Sequence, residues 1–167
     1  MISVAVIGGG ASGMAFAVAL KQKRPDIEVT VFEKNPKVLK KILVTGNGRC
    51  NILNFDAVAE NYFEACEFVR PTVEKYTPKK TEAIFRDMGL LLMSEQEGRA
   101  YPISQTAASV VCVLSSAAER AGVKVFTDTP VKSIKKSQGR FVINNDKSFD
   151  FAVIACGGAA APKQGTD

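Results

Sequence analysis

Six residues near the amino terminus, Gly8-Gly9-Gly10-Ala11-Ser12-Gly13, restrict the folds open to this chain more than any other feature. They complete G-x-G-x-x-G directly after Ile2 to Ile7, a β-branched and alanine run. Such a run marks a strand of a parallel sheet, buried on both faces. Ala11 to Lys23 reads as a helix, rich in Ala and Leu and basic in its last turn, and Pro25-Asp26 ends it. Ile27 to Phe32 is then a second strand, closed by Glu33. In this setting Gly8 permits the tight turn, Gly10 lets a pyrophosphate approach the backbone, and Gly13 lets the helix pack close on the strand. The N–H groups of Ala11 and Ser12 lie at the positive end of the helix dipole, where an anion is favoured.

Glu33 stands 20 residues beyond Gly13, where an acidic side chain accepts hydrogen bonds from both ribose hydroxyls of an adenosine. Its charge repels a 2′-phosphate and so disfavours NADP, while Lys34 beside it works the other way. The choice between FAD and NAD rests on the chain beyond Glu33. A long interval separates Glu33 from the next parallel strand, and a meander stands where a plain nicotinamide domain has another crossover helix.

Within that interval Ile42 to Thr45 reads as extended, entering a turn at Gly46-Asn47-Gly48. Helices are predicted at Ala57 to Val69 and at Pro78 to Met88, the second capped by Thr77 and closed by Gly89. Leu90 to Ile103 reads as a hairpin, and Thr106 to Arg120 as an amphipathic helix ended by Gly122. Val123 to Thr127 is predicted as a strand. Val131 to Lys135, Arg140 to Asn144 and Phe149 to Ala155 are then strands of an antiparallel meander leading into a buried strand, turning at Ser137-Gln138-Gly139 and Asn145-Asp146. The four runs at 2–7, 27–32, 123–127 and 151–155 are expected to share one parallel sheet with the first strand internal. The fold class is α/β.

Composition narrows the partners. Lys plus Arg number 22 against 17 Asp plus Glu, a net +5, in short scattered pairs such as Lys40-Lys41, Lys79-Lys80 and Lys135-Lys136. Such pairs read as solvated surface with room for an anionic ligand, so no nucleic-acid partner is expected. The four cysteines are dispersed and histidine is absent, which disfavours zinc and suits reduced thiols in the cytoplasm. The apolar run Ile2 to Leu20 has no preceding basic region and is broken by glycines, so neither a signal peptide nor a membrane partner is expected.

Four phrases, GGGASG, KKILVTGNGRCNILN (40–54), GRAYPIS (98–104) and VIACGGAAAPKQGTD at the end, resemble the HI0933-like, or BaiN/RdsA, flavoproteins of bacteria and archaea. The resemblance covers essentially the whole chain. It implies a glutathione-reductase-type, Rossmann-like FAD-binding fold, and members include a bile-acid enone reductase and an aminoacetone oxidase. It further implies that Lys41, Arg49, Cys50 and Asn51 lie against the flavin or its phosphates. Val131 would contact the adenine through its backbone, and Ala155, Gly157 and Gly158 would pass beneath the cofactor. Arg49 can reach a diphosphate in a fork, and glycines at 157 and 158 permit close backbone approach. The simpler alternative for Gly46 to Asn51 is an ordinary Asn-Gly turn. Cys50 reads as a packed small hydrophobe and Tyr101 as a structural, half-buried ring.

The expected organisation is a partial FAD-binding domain over 1–167: fingerprint (1–33), flavin loop and helical insertion (34–122), then third strand, meander and fourth strand (123–167). A substrate-side domain and a closing segment, present in the family, are expected to lie outside this chain. By itself it is expected to hold FAD poorly and to be inactive. The function expected of the full protein is hydride transfer, through FAD, between NAD(P)H and a small-molecule substrate. A flavin-dependent tRNA-modifying enzyme and a non-catalytic FAD-binding module are the alternatives.

Overall fold

A computed structural model describes residues 1–158. In chain order its elements are β1 (Ser3–Ile7), α1 (Ala11–Lys23), β2 (Glu28–Phe32), β3 (Leu53–Asn54), α2 (Cys66–Lys75), α3 (Pro78–Asp87), β4 (Leu92–Ser94) and β5 (Arg99–Pro102). Beyond these come α4 (Ala107–Arg120), β6 (Lys124–Phe126), β7 (Ile134–Ser137), β8 (Arg140–Ile143), β9 (Lys147–Phe149) and β10 (Phe151–Ile154). The end of the last resembling phrase, 159–167, lies outside the described residues.

The central sheet has the order β10-β1-β2-β6, every pair parallel, with β1 internal as its sequence requires. Because strand side chains alternate faces, this sheet is divided cleanly. Val4, Val6, Val29 and Val31 pack with Met14, Ala17 and Val18 of α1 and Val110, Leu114 and Ala117 of α4. Ala5, Ile7 and Phe32 on the opposite face meet Ile143 and Phe149 of a second sheet, β7-β8-β9. Phe32 stacks on Phe126 and meets Phe149 edge-on, at centroid distances of 5.9 and 5.8 Å. The layers are therefore helix, parallel sheet, meander. This is a Rossmann-like α/β fold in which the meander stands where a second helical layer would otherwise lie.

Local signals behave as their chemistry dictates. The Thr77 hydroxyl accepts from Lys80 N–H, Pro78 opens α3, and Gly89 and Gly122, at φ of 97° and 73°, lie just past the ends of α3 and α4. Gln138 and Gly139 both take positive φ between paired Ser137 and Arg140, a two-residue turn matched to strand twist.

Several sequence expectations are corrected. Residues 40–44 form a 3₁₀ helix, not an extended run. Leu39 and Ile42, spaced three apart, are both buried in the main core, which selects a helical over an alternating period. The helix expected at 57–69 divides into a 3₁₀ segment, Ala59–Ala65, and α2. The 3₁₀ segment is itself kinked at Phe63, whose φ is 49°, and α2 continues past Pro71. The hairpin at 90–103 gains a third strand, because β3 pairs with β5. The strand expected at 131–135 begins only at Ile134. The run at 151–155 joins the parallel sheet as expected, as β10, while Phe149 before it belongs to a separate meander strand, β9, with the break at Asp150.

Asp150 fixes that change of sheet. Its carboxylate accepts from Ser3 N–H at 2.7 Å and Ser3 Oγ–H at 2.8 Å, and from Arg140. The Ser3 backbone N–H, then its hydroxyl and the Arg140 charge, hold this carboxyl below the usual carboxylate range. A carboxyl depressed by folding contributes stability that is complete above its unfolded pKa of about 3.9 and lost as pH falls through the folded value. Asp150→Asn is therefore expected to flatten the acid limb of the stability curve below about pH 4. Urea midpoints measured from about pH 6 to about pH 2 check this, and an unchanged acid limb refutes it.

Candidate functional site

The strand-to-helix turn is fixed by two contacts that only glycine allows. A Cβ on Gly13 would lie 2.0 Å from the Gly8 carbonyl oxygen. One on Gly8, where φ is 110°, would lie 2.4 Å from that of Ala155. These glycines serve the packing of α1 and β10 against β1. Gly10 is different: among the described residues a Cβ there would meet no atom within 4 Å beyond its chain neighbours, and its φ of −77° suits any residue. Packing among the described residues gives no reason for glycine at this position, whereas close approach of a ligand does. The N terminus of α1 has no side-chain cap and no acidic residue in its first turn. Such a helix end favours an anion.

That helix end opens on a cavity of about 330 Å³, lined by Gly8 to Ser12, Glu33, Asn35, Lys37, Leu39 to Ile42, Thr45 and Ala155 to Gly157. It lies at the carboxyl ends of β1, β2 and β10, the usual ligand side of an open parallel sheet. A smaller cavity of about 170 Å³ adjoins it through the shared residues Gly8, Glu33 and Cys156, and its wall includes Ile7, Phe32, Lys34 and Thr129 to Val131. Four lysines, at 34, 37, 40 and 41, thus border the paired cavities, and these with the helix terminus favour a negatively charged ligand.

Glu33 is buried at the junction, 8% exposed. Its Oε2 accepts from Gly9 N–H at 2.8 Å, and its Oε1 accepts from the N–H and Nδ2–H of Asn35 at 2.8 and 2.7 Å. The main chain around it is tied to the segment after β6: Glu33 N–H donates to Phe126 O, and Thr129 N–H donates to Glu33 O. Asn144 then secures the wall of the smaller cavity. Its Oδ1 accepts from the N–H groups of Lys132 and Ser133, and its Nδ2 donates to Pro130 O.

Of the residues singled out from the sequence, Gly8, Gly10, Ala11, Ser12, Glu33, Lys41, Ala155 and Gly157 line the larger cavity. Glu33, Lys34 and Val131 line the smaller. Gly13 lies behind the turn, and Cys50, Asn51 and Gly158 line neither. Arg49 also lines neither cavity. Its guanidinium donates to Glu95 at 2.8 and 3.1 Å and to Gln105 at 3.0 Å, and it stacks 4.0 Å over Tyr101. The cause is local. Positive φ at Gly46, Asn47, Gly48 and Cys50 coils the loop tightly, so Cys50 is buried in the core and Arg49 meets the β4-β5 hairpin. Tyr101 is more buried than expected, 5% exposed. Asn35 and Asn144 were not found from sequence. An asparagine just past a strand reads as a turn former, and only its partners reveal what it holds.

Among the described residues no His/Cys/Asp/Glu group could hold a metal, and no helix is long and apolar enough to cross a membrane.

Comparison with known proteins agrees with this geometry. The chain is 37% identical, over its whole length, to a 3-dehydro-bile acid delta(4,6)-reductase of Clostridium scindens, covering 42% of that protein. It is 26% identical, over 96% of its length, to a ribosomal RNA dihydrouridine synthase of Haemophilus influenzae, covering 41%. It thus spans about two fifths of the length of these curated relatives. The crystal structure of Thermovibrio ammonificans THI4 shares the fold, with a TM-score of 0.61 at 18% identity over 95% of this chain and 58% of that one. Residues 2–167 match the HI0933-like protein Rossmann domain, and the chain belongs to that family.

Proposed function

We propose that this chain supplies the dinucleotide-binding part of an FAD-dependent reductase. The observation that carries the reading is Gly10, a glycine that no contact among the described residues requires, at the uncapped N terminus of a helix facing a lysine-bordered cavity. The residues fit FAD. Its diphosphate would lie on the Ala11 and Ser12 N–H groups, its ribose near Glu33, and its adenine in the smaller cavity beside Val131. Ala155 and Gly157 would support the side toward the flavin. When bound, the flavin would supply the redox chemistry, passing a hydride from NAD(P)H to the substrate. The chain's own residues bind and orient the cofactor.

The names of the two relatives suggest the substrate class. A delta(4,6)-reductase acting on a 3-dehydro steroid and a dihydrouridine synthase both leave a saturated carbon–carbon bond where a double bond adjoined a carbonyl system. We assign a small α,β-unsaturated carbonyl compound as substrate. A second reading, an RNA base in a cytoplasmic RNA-modifying enzyme, is favoured by the Haemophilus relative and by the lysines at 34, 37, 40 and 41. Salt separates the two, since phosphate contacts make RNA binding fall steeply as salt rises.

FAD titration followed by the amide resonances of Gly8 to Gly13 tests the cofactor. Weak but saturable shifts are expected in the native chain. Gly10→Ala should fold normally, with less than about 1 kcal/mol lost, because its φ and space admit a methyl group. It should bind FAD at least about tenfold more weakly, equivalent to about 1.4 kcal/mol. Equal affinity in the two proteins would show that the ligand does not approach this backbone.

A further inference from the structure

The carboxylate of Glu33 has more donors than a ribose-binding acid needs. An ionised carboxylate offers about four acceptor positions, two on each oxygen. Both positions on Oε1 are filled by Asn35, through its main-chain N–H at 2.8 Å and its Nδ2–H at 2.7 Å. One position on Oε2 is filled by Gly9 N–H. Asn35 is held in turn, since its carbonyl oxygen accepts from Asp128 N–H at 3.1 Å, and it borders the same cavity as Glu33.

We propose that Asn35 is a positioning residue that saturates Oε1, so that Glu33 presents a single acceptor, on Oε2, and holds one hydroxyl of the cofactor ribose instead of both. The side-chain amide locks the carboxylate plane, and Gly9 N–H keeps the remaining acceptor beside the glycine turn. This rests on the dinucleotide reading above, and changes what that reading requires of the acid. Selectivity then depends on which ribose oxygen faces Oε2, and the other hydroxyl is left to solvent or to other groups. Without the Asn35 side chain, Oε1 regains one acceptor position and both hydroxyls can be bound.

The test uses ADP, 2′-deoxy-ADP and 3′-deoxy-ADP, titrated into the native chain and into Asn35→Ala and followed by amide resonances. In the native chain one deoxy analogue is expected to bind about tenfold more weakly than ADP, the scale for a hydrogen bond to a charged acceptor, and the other within about twofold. In Asn35→Ala both analogues should fall below ADP. A residue that merely stabilises the fold would weaken all three ligands together. Equal losses for both analogues in the native chain would overturn the proposal and leave the dinucleotide site standing. So would deoxy analogues that bind as well as ADP. Absence of any ADP binding by the native chain would overturn the dinucleotide reading itself, and the proposal with it. The native-chain series needs no variant, so equal losses for both analogues there overturn the proposal even if Asn35→Ala does not fold.

Discussion

Gly13→Ala is expected to lower folding stability by about 3 kcal/mol or more, a large part of the 5–15 kcal/mol typical of a domain. The added Cβ would lie 2.0 Å from the Gly8 carbonyl oxygen and 3.3 Å from the Ala155 Cβ. Neither neighbour can yield cheaply. Gly8 is in the turn itself, held by its N–H to Phe32 O, and Ala155 N–H is bonded to Ile7 O. Relief requires α1 to move off β1, which would separate Met14, Ala17 and Val18 from Val4 and Val6. Close-packed cores do not absorb such a shift without loss. Urea unfolding of Gly13→Ala against Gly10→Ala is the measurement, because among the described residues the second substitution meets no atom within 4 Å. Matching midpoints for the two variants would mean that the helix does not sit against the strand as described.

Glu33→Ala carries the second large effect, and it acts on both stability and binding. Removal of the carboxylate leaves Gly9 N–H, Asn35 N–H and Asn35 Nδ2–H without their acceptor. Glu33 is buried, so water replaces it incompletely, and a loss of about 2–4 kcal/mol in stability is expected from bonds to a charged group and buried orphaned donors. FAD affinity should fall by a further 1–3 kcal/mol, roughly, as the ribose contact goes. Denaturation of the free protein measures the first loss, and titration well below the unfolding midpoint measures the second. A variant of native stability would show that these three bonds do not brace the turn. Unchanged flavin affinity in a folded variant would show that the acid does not hold the ribose.

Residues whose meaning is local were legible in the sequence. The six-residue turn, the strand before it and the acid after the second strand specify a dinucleotide-type strand–helix–strand unit through spacing alone, and the structure brings Gly8, Gly10, Ala11, Ser12 and Glu33 to one cavity. The capping chemistry of α3 and the turn at Gln138-Gly139 were equally local. Where periodicity was short or mixed, it misled. Leu39 and Ile42 lie in a segment whose β-branched and apolar character suggests extension, yet both enter the core at a spacing of three, which a 3₁₀ helix satisfies. The place of 151–155 in the parallel sheet was legible, but not the break at Asp150 that separates it from β9, because that pivot depends on Ser3, distant in the chain, and on Arg140.

The amino-acid order alone dictated the parallel sheet with an internal first strand, the glycine turn at the head of α1, and the acidic residue facing it. These arise from backbone sterics and side-chain period, which act over a few residues. Where polar side chains find their partners was settled in three dimensions. Folding gave Arg49 to Glu95, Gln105 and Tyr101, and it gave both donors of Asn35 to one oxygen of Glu33. A charged or amide group takes the partner that packing brings within about 3 Å, and in a folded chain that partner can come from anywhere in the sequence.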